Sequence, residues 1–576
     1  MYLFKLIWNI LDRSEKIKFY FYIILSILNT FLETSIVLMI VPLTQILMQK
    51  EVNLFIFENT EFLEDFSYPT LVVASVSLLT LGYILKNLYV IFFLWWTNKY
   101  IGDFQRRVTK TLFSNYIYQS YSYHVNKSSG LLINILNTEV GTFKSTLKSI
   151  CTICSESLIL ITLIIILFLF QPEGILSLII FALTSFFLIN FFLKNKLREW
   201  GKKRFIYANQ SNSEIVQSFE GIKEIKMLKV ENNIVNKFYD KIYNMVSYLV
   251  IADVATNLPK IIYEIITVCC FCLLILVLLI TSNSYDNIIL YTALFTAVAF
   301  RIMPSLTRIT LAFTTFQNQF TPINRIINDL NLEYKEFNYS QTSKSISFEN
   351  NIKIENLYFK HPSNTKFTIE NVNIEIDKGD IIGITGESGS GKTTFADIFV
   401  GLLDPTNGKI IIDNKKLDDS NLVAWQKNIG YVSQNVYLSD DTIRNNIAFG
   451  VDENKIDNKR VKKCIELCNL SDFVKNLPNG LDTITGERGL KISGGQKQRL
   501  TIARAIYFNP DIIVFDEATS ALDKKNENEI ISNIVNLSRK ENKTLIIIAH
   551  KLSILNNCTK LIVFDSGKIS IKDTKK

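Results

Sequence analysis

Apolar runs of two kinds divide the chain. Before residue 320 there are six long ones, near 19–48, 69–97, 149–170, 174–194, 261–281 and 286–313. At about 1.5 Å per residue each is long enough, or nearly so, to cross ~30 Å of hydrocarbon, which predicts six membrane helices. From 351 the runs become short and β-branched and alternate with helical stretches, the pattern of an α/β domain. Residues 331–350 carry no apolar run and read as a linker. The expected organisation is therefore a membrane α-helical domain over 1–330, a linker over 331–350 and an α/β domain over 351–576.

The polar connections set the orientation. Segment 49–68 holds Glu51, Glu58, Glu61, Glu64 and Asp65 against Lys50 alone, whereas 98–148 and 195–260 are rich in Lys and Arg. The positive-inside rule puts the two basic segments and both termini in the cytoplasm. Both segments have helical patterning, so they read as membrane helices extended into the cytosol, reversing at Ser128-Ser129-Gly130 and Glu220–Ile225. With 576 residues the chain exceeds one core, and 48% of them are hydrophobic. The net charge of +8 is carried between apolar spans, which favours anionic lipid over nucleic acid as its partner. Eight cysteines and three histidines form no zinc pattern. Six charges fall inside the expected spans: Glu33, Lys86, Lys260, Glu264, Arg301 and Arg308. Lys260 and Glu264 are spaced for a local ion pair. Lys86, Arg301 and Arg308 have no acid one turn away. Lys86 and Arg301 lie roughly 20–25 Å deep and Lys260 and Arg308 roughly 30–35 Å, a basic belt suited to an anionic headgroup or to snorkelling.

Chemistry is densest at Gly386-Glu387-Ser388-Gly389-Ser390-Gly391-Lys392-Thr393, which reads G-x-x-x-x-G-K-[ST] between an apolar strand and a helix starting near Thr394. Glycine backbones turn successive N–H groups to one point, and the helix N-terminus adds positive potential. Lys392 can reach the β- and γ-phosphates of ATP, and the Thr393 hydroxyl can ligate Mg²⁺. A second strand, Ile512–Phe515, ends in Asp516-Glu517. Asp516 suits the metal, and Glu517 the attacking water as general base. Gln434 and His550 each follow a strand and suit the metal or water shell and the γ-phosphate.

Ile492-Ser493-Gly494-Gly495-Gln496 places a second anion-binding nest at a helix start, and a second nest asks for a second copy of the chain. Here residues 351–576 resemble the ATP-binding cassette (ABC) transporters, through the phosphate loop, Gln434, Ile492–Gln496, Asp516-Glu517, Ser520–Asp523 and His550. Thr485–Gly489 looks like the exporter-specific segment. The resemblance implies an exporter-type half-transporter, an ATPase using ATP and Mg²⁺. It further implies a homodimer in which Ser493, Gly494, Gly495, Gln496 and Asp523 of one copy meet the ATP held by the other. The family's adenine-stacking tyrosine aligns with His361; Tyr358 would replace it only if the strand register shifted by one.

Phe31–Thr34, Pro42, Leu258-Pro259-Lys260, Glu264 and Phe300–Arg308 resemble PglK-type flippases of lipid-linked oligosaccharides. That likeness implies Lys86, Lys260 and Arg301 as a cavity for a polyprenyl-pyrophosphate glycan at a bacterial inner membrane. Two of the three are Lys where that family has Arg, which keeps charge but loses the bidentate geometry. The alternative cargo is a lipid A-like lipid, a peptide or an amphipathic drug.

Overall fold

The computed structural model describes residues 7–47, 67–170, 172–281, 285–332, 346–361, 366–486, 489–519, 523–549, 551, 555 and 557–573. The expected acidic connection over 49–66, most of the expected linker, 520–522 and His550 lie outside the described residues. The chain forms two compact units, one of residues 1–119 and 124–334, the other of 120–123 and 335–576.

The first unit is helical. It contains α1 (Arg13–Leu38), α2 (Ile40–Leu47), α3 (Tyr68–Ile117) and α5 (Ser129–Asn134), while the short α4 (Tyr121–Val125) has its first three residues in the second unit. After a π-helical turn at Ile135–Glu139 come α6 (Val140–Phe170), α7 (Pro172–Glu220), α8 (Ile222–Leu228), α9 (Glu231–Thr281), α10 (Tyr285–Asn318) and α11 (Phe320–Leu330). Among the described residues, Arg13–Leu47, Tyr68–Ile117 and Ser129–Ile166 are long and apolar enough to span a bilayer. The other three expected spans fall on α7, α9 and α10.

Local chemistry sets the boundaries. Asp12 and Glu15 form a capping box that starts α1. Pro42 cannot donate to the carbonyl of Leu38, and the break at Met39 follows. Lys229 in the left-handed region closes α8 before the chain reverses into α9. The first reversal lies upstream of the expected turn. α4 occupies the bend, and Ser128 and Ser129 are the N-cap and first residue of α5. Buried polar groups tie the helices together. The Tyr22 hydroxyl donates to the Cys151 carbonyl at 2.7 Å, joining α1 to α6, and Tyr89 donates to Leu25 at 2.7 Å, joining α3 to α1. Arg107 on α3 forks onto Glu15 at 2.7 Å through both Nε and Nη2.

The second unit holds two sheets. One orders β2 (Ile369–Asp377), β1 (Asn351–Phe359), β4 (Asn407–Ile412) and β5 (Lys415–Lys416), all antiparallel. The other runs β10 (Lys568–Asp573), β9 (Lys560–Asp565), β3 (Ile381–Gly386), β8 (Thr544–Ile548), β7 (Ile512–Asp516) and β6 (Ile429–Val432). From β9 to β6 its strands are parallel. Its helices are α12 (Lys392–Phe399), α13 (Leu422–Lys427), α14 (Ile443–Ile447), α15 (Asn458–Leu467), α16 (Ser471–Lys475), α17 (Gly494–Tyr507) and α18 (Lys524–Glu541).

Alternation along the parallel strands feeds two cores. Ile513, Phe515, Leu545 and Ile547 join the core containing α14, α15, α17 and α18. Ile512, Val514, Ile546 and Ile548 join the core containing α12 and Trp425. Both faces are covered, which is why these strands read as unbroken apolar runs. Ile346 and Phe348, inside the stretch expected as linker, belong to the second of these cores.

Candidate functional site

The carboxyl ends of the parallel strands converge, the usual place for a ligand in such a sheet. β3 runs into the phosphate loop, β7 ends in Asp516 beside β8, and β6 lies beyond β7. Gly386 adopts φ 153°, and a Cβ there would stand 2.2 Å from the Phe564 carbonyl oxygen. Gly391, at φ 105°, caps α12, and its Cβ would meet the Thr368 carbonyl oxygen at 2.8 Å. Lys392 donates to the carbonyls of Gly386 and Glu387 at 3.0 and 2.8 Å, closing the loop on itself. Ser390 lies inside the loop, its N–H donating to Glu387 O at 3.3 Å.

A cleft of about 930 Å³ opens over this loop, lined by Ser388, Gly389, Gly391, Lys392, Thr393 and Thr394 together with Gln434, Glu517 and His361. The Thr393 hydroxyl lies 3.5 Å from Asp516 Oδ1, and the Tyr431 hydroxyl donates to Asp516 Oδ2 at 3.3 Å. This set of hard oxygen donors, beside a phosphate cradle, fits Mg²⁺. When bound, the metal would neutralise phosphate charge. Burial raises the Asp516 carboxyl above its ordinary value. Asp397, one turn along α12, is pushed up to about 6, first by burial and then by the Asp516 charge.

Glu517 has φ 49°, a left-handed backbone that L-residues adopt only under constraint. Its N–H donates to Ile548 O at 3.1 Å, and its carboxylate accepts from Gln434 Nε2 at 2.9 Å. Ser493 caps α17 in a capping box. Its hydroxyl accepts from the Gln496 N–H at 3.3 Å, and Gln496 Oε1 accepts from the Ser493 N–H at 2.9 Å. Gly494 and Gly495 form the first turn of that helix, leaving backbone donors at its N-terminus. Asp523 caps α18.

At the end of the cleft where His361 lies, β1 does shift register. Asn356, at φ 47°, marks the shift; Ile352 and Ile354 are buried before it, Leu357 and Phe359 after it. Tyr358 nevertheless packs edge-on against Phe367 at 5.7 Å and does not line the cleft. His361 does, set edge-on against Phe359 at 4.9 Å. Phe367 and Lys366 also line it and were missed in the sequence. No motif frames them, and an isolated exposed aromatic carries no signal by itself.

The membrane unit brings some of the expected belt together. Glu33 on α1 sits 3.1 Å from Lys86 Nζ and 3.0 Å from Arg301 Nε. Glu156 on α6 takes Arg308 at 2.6 Å and the Ser305 hydroxyl at 2.7 Å, and lies 3.7 Å from Arg301. The belt is thus compensated by acids from other helices, which helical spacing could not reveal. The expected local ion pair of Lys260 with Glu264 is absent among the described residues, and Lys260 is exposed. Glu264 lines an apolar groove with Ile265, Val268 and Met303. A separate cavity of about 300 Å³ touches Glu33, Glu156, Arg301, Arg308, Lys148 and Asn29.

A phosphate cradle closed by a metal-ready aspartate and a glutamate, following a long-helix membrane unit, defines an ATP-driven transporter. Comparison with known families agrees. Residues 19–303 match the ABC transporter transmembrane region and 369–520 match the ABC transporter domain. The chain belongs to the ABC transporter family: it is a membrane protein and an ATPase coupled to transport, with the exporter-type fold. It is 30% identical to an ATP-dependent lipid A-core flippase of Aliivibrio fischeri, over 80% of this chain and 79% of that protein. It is 29% identical to a protein of that description from Cupriavidus pinatubonensis, over 78% and 76%. A solved bacterial Atm1-family ABC exporter with ATP bound shares the fold, with a TM-score of 0.82 and 21% identity over 96% of this chain and 95% of that one.

Proposed function

We propose that the chain flips an anionic, phosphorylated glycolipid of the lipid A-core kind across a bacterial inner membrane. Two things support this: the description its relatives carry and the cationic cluster around Arg301. Three cations, Lys86, Arg301 and Arg308, face two carboxylates, Glu33 and Glu156, and Lys148 lines the adjoining cavity. A surplus of positive charge inside a membrane domain is costly unless an anion offsets it. The polyprenyl-pyrophosphate glycan is the second reading, favoured by the same surplus, since a diphosphate matches it as two separate phosphates do.

The working unit is a homodimer with cytoplasmic termini, its membrane part within 1–330 and its cassette within 351–576. Lys392 and the phosphate loop hold ATP, Thr393 and Asp516 hold Mg²⁺, and Gln434 completes the metal and water shell. Glu517 activates water with His550 nearby, while Ser493–Gln496 and Asp523 close the partner's site. The deciding measurement is ATPase stimulation in proteoliposomes. Lipid A-type bisphosphorylated lipid is expected to stimulate, and Lys86→Ala with Arg301→Ala to remove the stimulation. Stimulation by an uncharged amphipathic drug with none by either phosphorylated lipid would sink the proposal.

A further inference from the structure

The carboxylates in the cationic cluster are the unexpected feature. A site built only to attract an anion has no use for Glu33 and Glu156, each of which is under 10% exposed. Glu33 uses its two oxygens on two different helices, Oε1 towards Lys86 of α3 and Oε2 towards Arg301 of α10. Glu156, from α6, turns both oxygens to the one helix α10, with Oε1 on Arg308 and Oε2 accepting from Ser305. The two carboxylates therefore already stand at the anion positions beside Arg301.

Resting on the headgroup-site reading above, we propose that Glu33 and Glu156 are specificity-determining residues, internal counter-ions that restrict the site to headgroups bearing two or more negative charges. Three cations less two carboxylates leave one positive charge, and Lys148, exposed at the cavity wall, adds a second. A singly charged phospholipid headgroup satisfies half of that surplus. To reach Arg301 directly it would have to displace a buried carboxylate, which raises the surplus again and leaves that carboxylate desolvated and unpaired. A headgroup with two phosphate charges balances the site with both glutamates in place. Removing one glutamate raises the surplus and exposes Arg301 and Lys86 to a second anion, so discrimination falls. The cavity also suits a sugar beside the phosphate. Asn29 Oδ1 and Thr97 Oγ1 line it, are buried, and have no hydrogen-bond partner, offering an acceptor and a hydroxyl.

The test uses the full-length protein in nanodiscs and measures binding of phosphatidylglycerol, with one charge, against lipid A, with two phosphates. The wild type is expected to prefer lipid A. Glu33→Gln should strengthen phosphatidylglycerol binding by about tenfold, the low end of what one charge within 4–6 Å does to a neighbouring equilibrium, and so narrow the preference. Glu156→Gln should act in the same direction. Glu33→Gln with Lys86→Met restores the charge balance and should restore the preference, and it carries the test together with Glu156→Gln if the single Glu33 variant does not fold. An unchanged lipid preference in folded Glu33→Gln and Glu156→Gln overturns the inference. If Arg301→Ala alters binding of neither lipid, the headgroup-site reading itself fails. If Arg301→Ala weakens both lipids while the glutamate variants keep the wild-type preference, only the inference fails.

Discussion

Gln434 Nε2 donates to Glu517 Oε2 at 2.9 Å, joining the ends of the neighbouring strands β6 and β7. The contact holds the carboxylate over the phosphate loop, on a backbone that is itself held in the left-handed region. Replacing Glu517 with Gln keeps this packing and removes the proposed base. ATP turnover should fall by about 10²–10⁴-fold, while nucleotide binding, followed with a fluorescent ATP analogue, stays within a few-fold. Turnover near the wild-type rate would show that another group activates the water.

Tyr431 holds the second oxygen of Asp516, leaving Oδ1 to face Thr393. Tyr431→Phe frees the carboxylate to rotate at the metal position. The Mg²⁺ concentration for half-maximal ATPase should rise about tenfold, consistent with one hydrogen bond to a charged group. Mn²⁺ binding in the presence of ATP, read by electron paramagnetic resonance, should weaken in parallel. An unchanged metal titration would mean that the phenol only packs.

Among the described residues, His361 and Phe367 are the rings that line the cleft over the phosphate loop. Truncating the one that covers adenine should raise the KM for ATP about fivefold, the worth of an aromatic stacking contact, and leave kcat little changed. His361→Ala and Phe367→Ala measured side by side assign the role. Equal and negligible effects would place adenine elsewhere.

Asp397 has its carboxyl raised to about 6 by burial and by the charge of Asp516. Its ionisation is easier in the unfolded chain, so the folded state holds the proton more tightly. The group thus favours folding below its ordinary pKa, and that contribution is lost as pH climbs from about 4 through about 6. Asp397→Asn should therefore stabilise the cassette above pH 6. After discount for partial exposure the gain is about 1 kcal/mol, visible as a higher Tm at pH 7.5 and absent at pH 4. A lower Tm at pH 7.5 would contradict this.

How much was legible depends on how local the signal is. The phosphate loop, Asp516-Glu517 and Ser493–Gln496 were readable because each is a contiguous motif whose backbone geometry is written in its glycines and flanking strand. The helical runs were readable because their length follows from bilayer thickness. The first reversal was displaced, since Ser128 occupies the N-cap position of α5 and not the turn itself. Phe367 went unseen because nothing in its neighbours marks it.

The basic belt shows the division most sharply. Sequence alone supplied the class of machine, the two chemistries of its halves and the presence of costly charges at Lys86, Arg301 and Arg308. It could test those charges only against acids one turn away on their own helix. The acids that answer them come from α1 and α6, Glu33 and Arg301 standing 268 positions apart in the chain. Pairing across helices depends on which faces pack together, and no single helix carries that information. Tertiary structure alone therefore decided that two buried glutamates stand within the cluster and answer its cations.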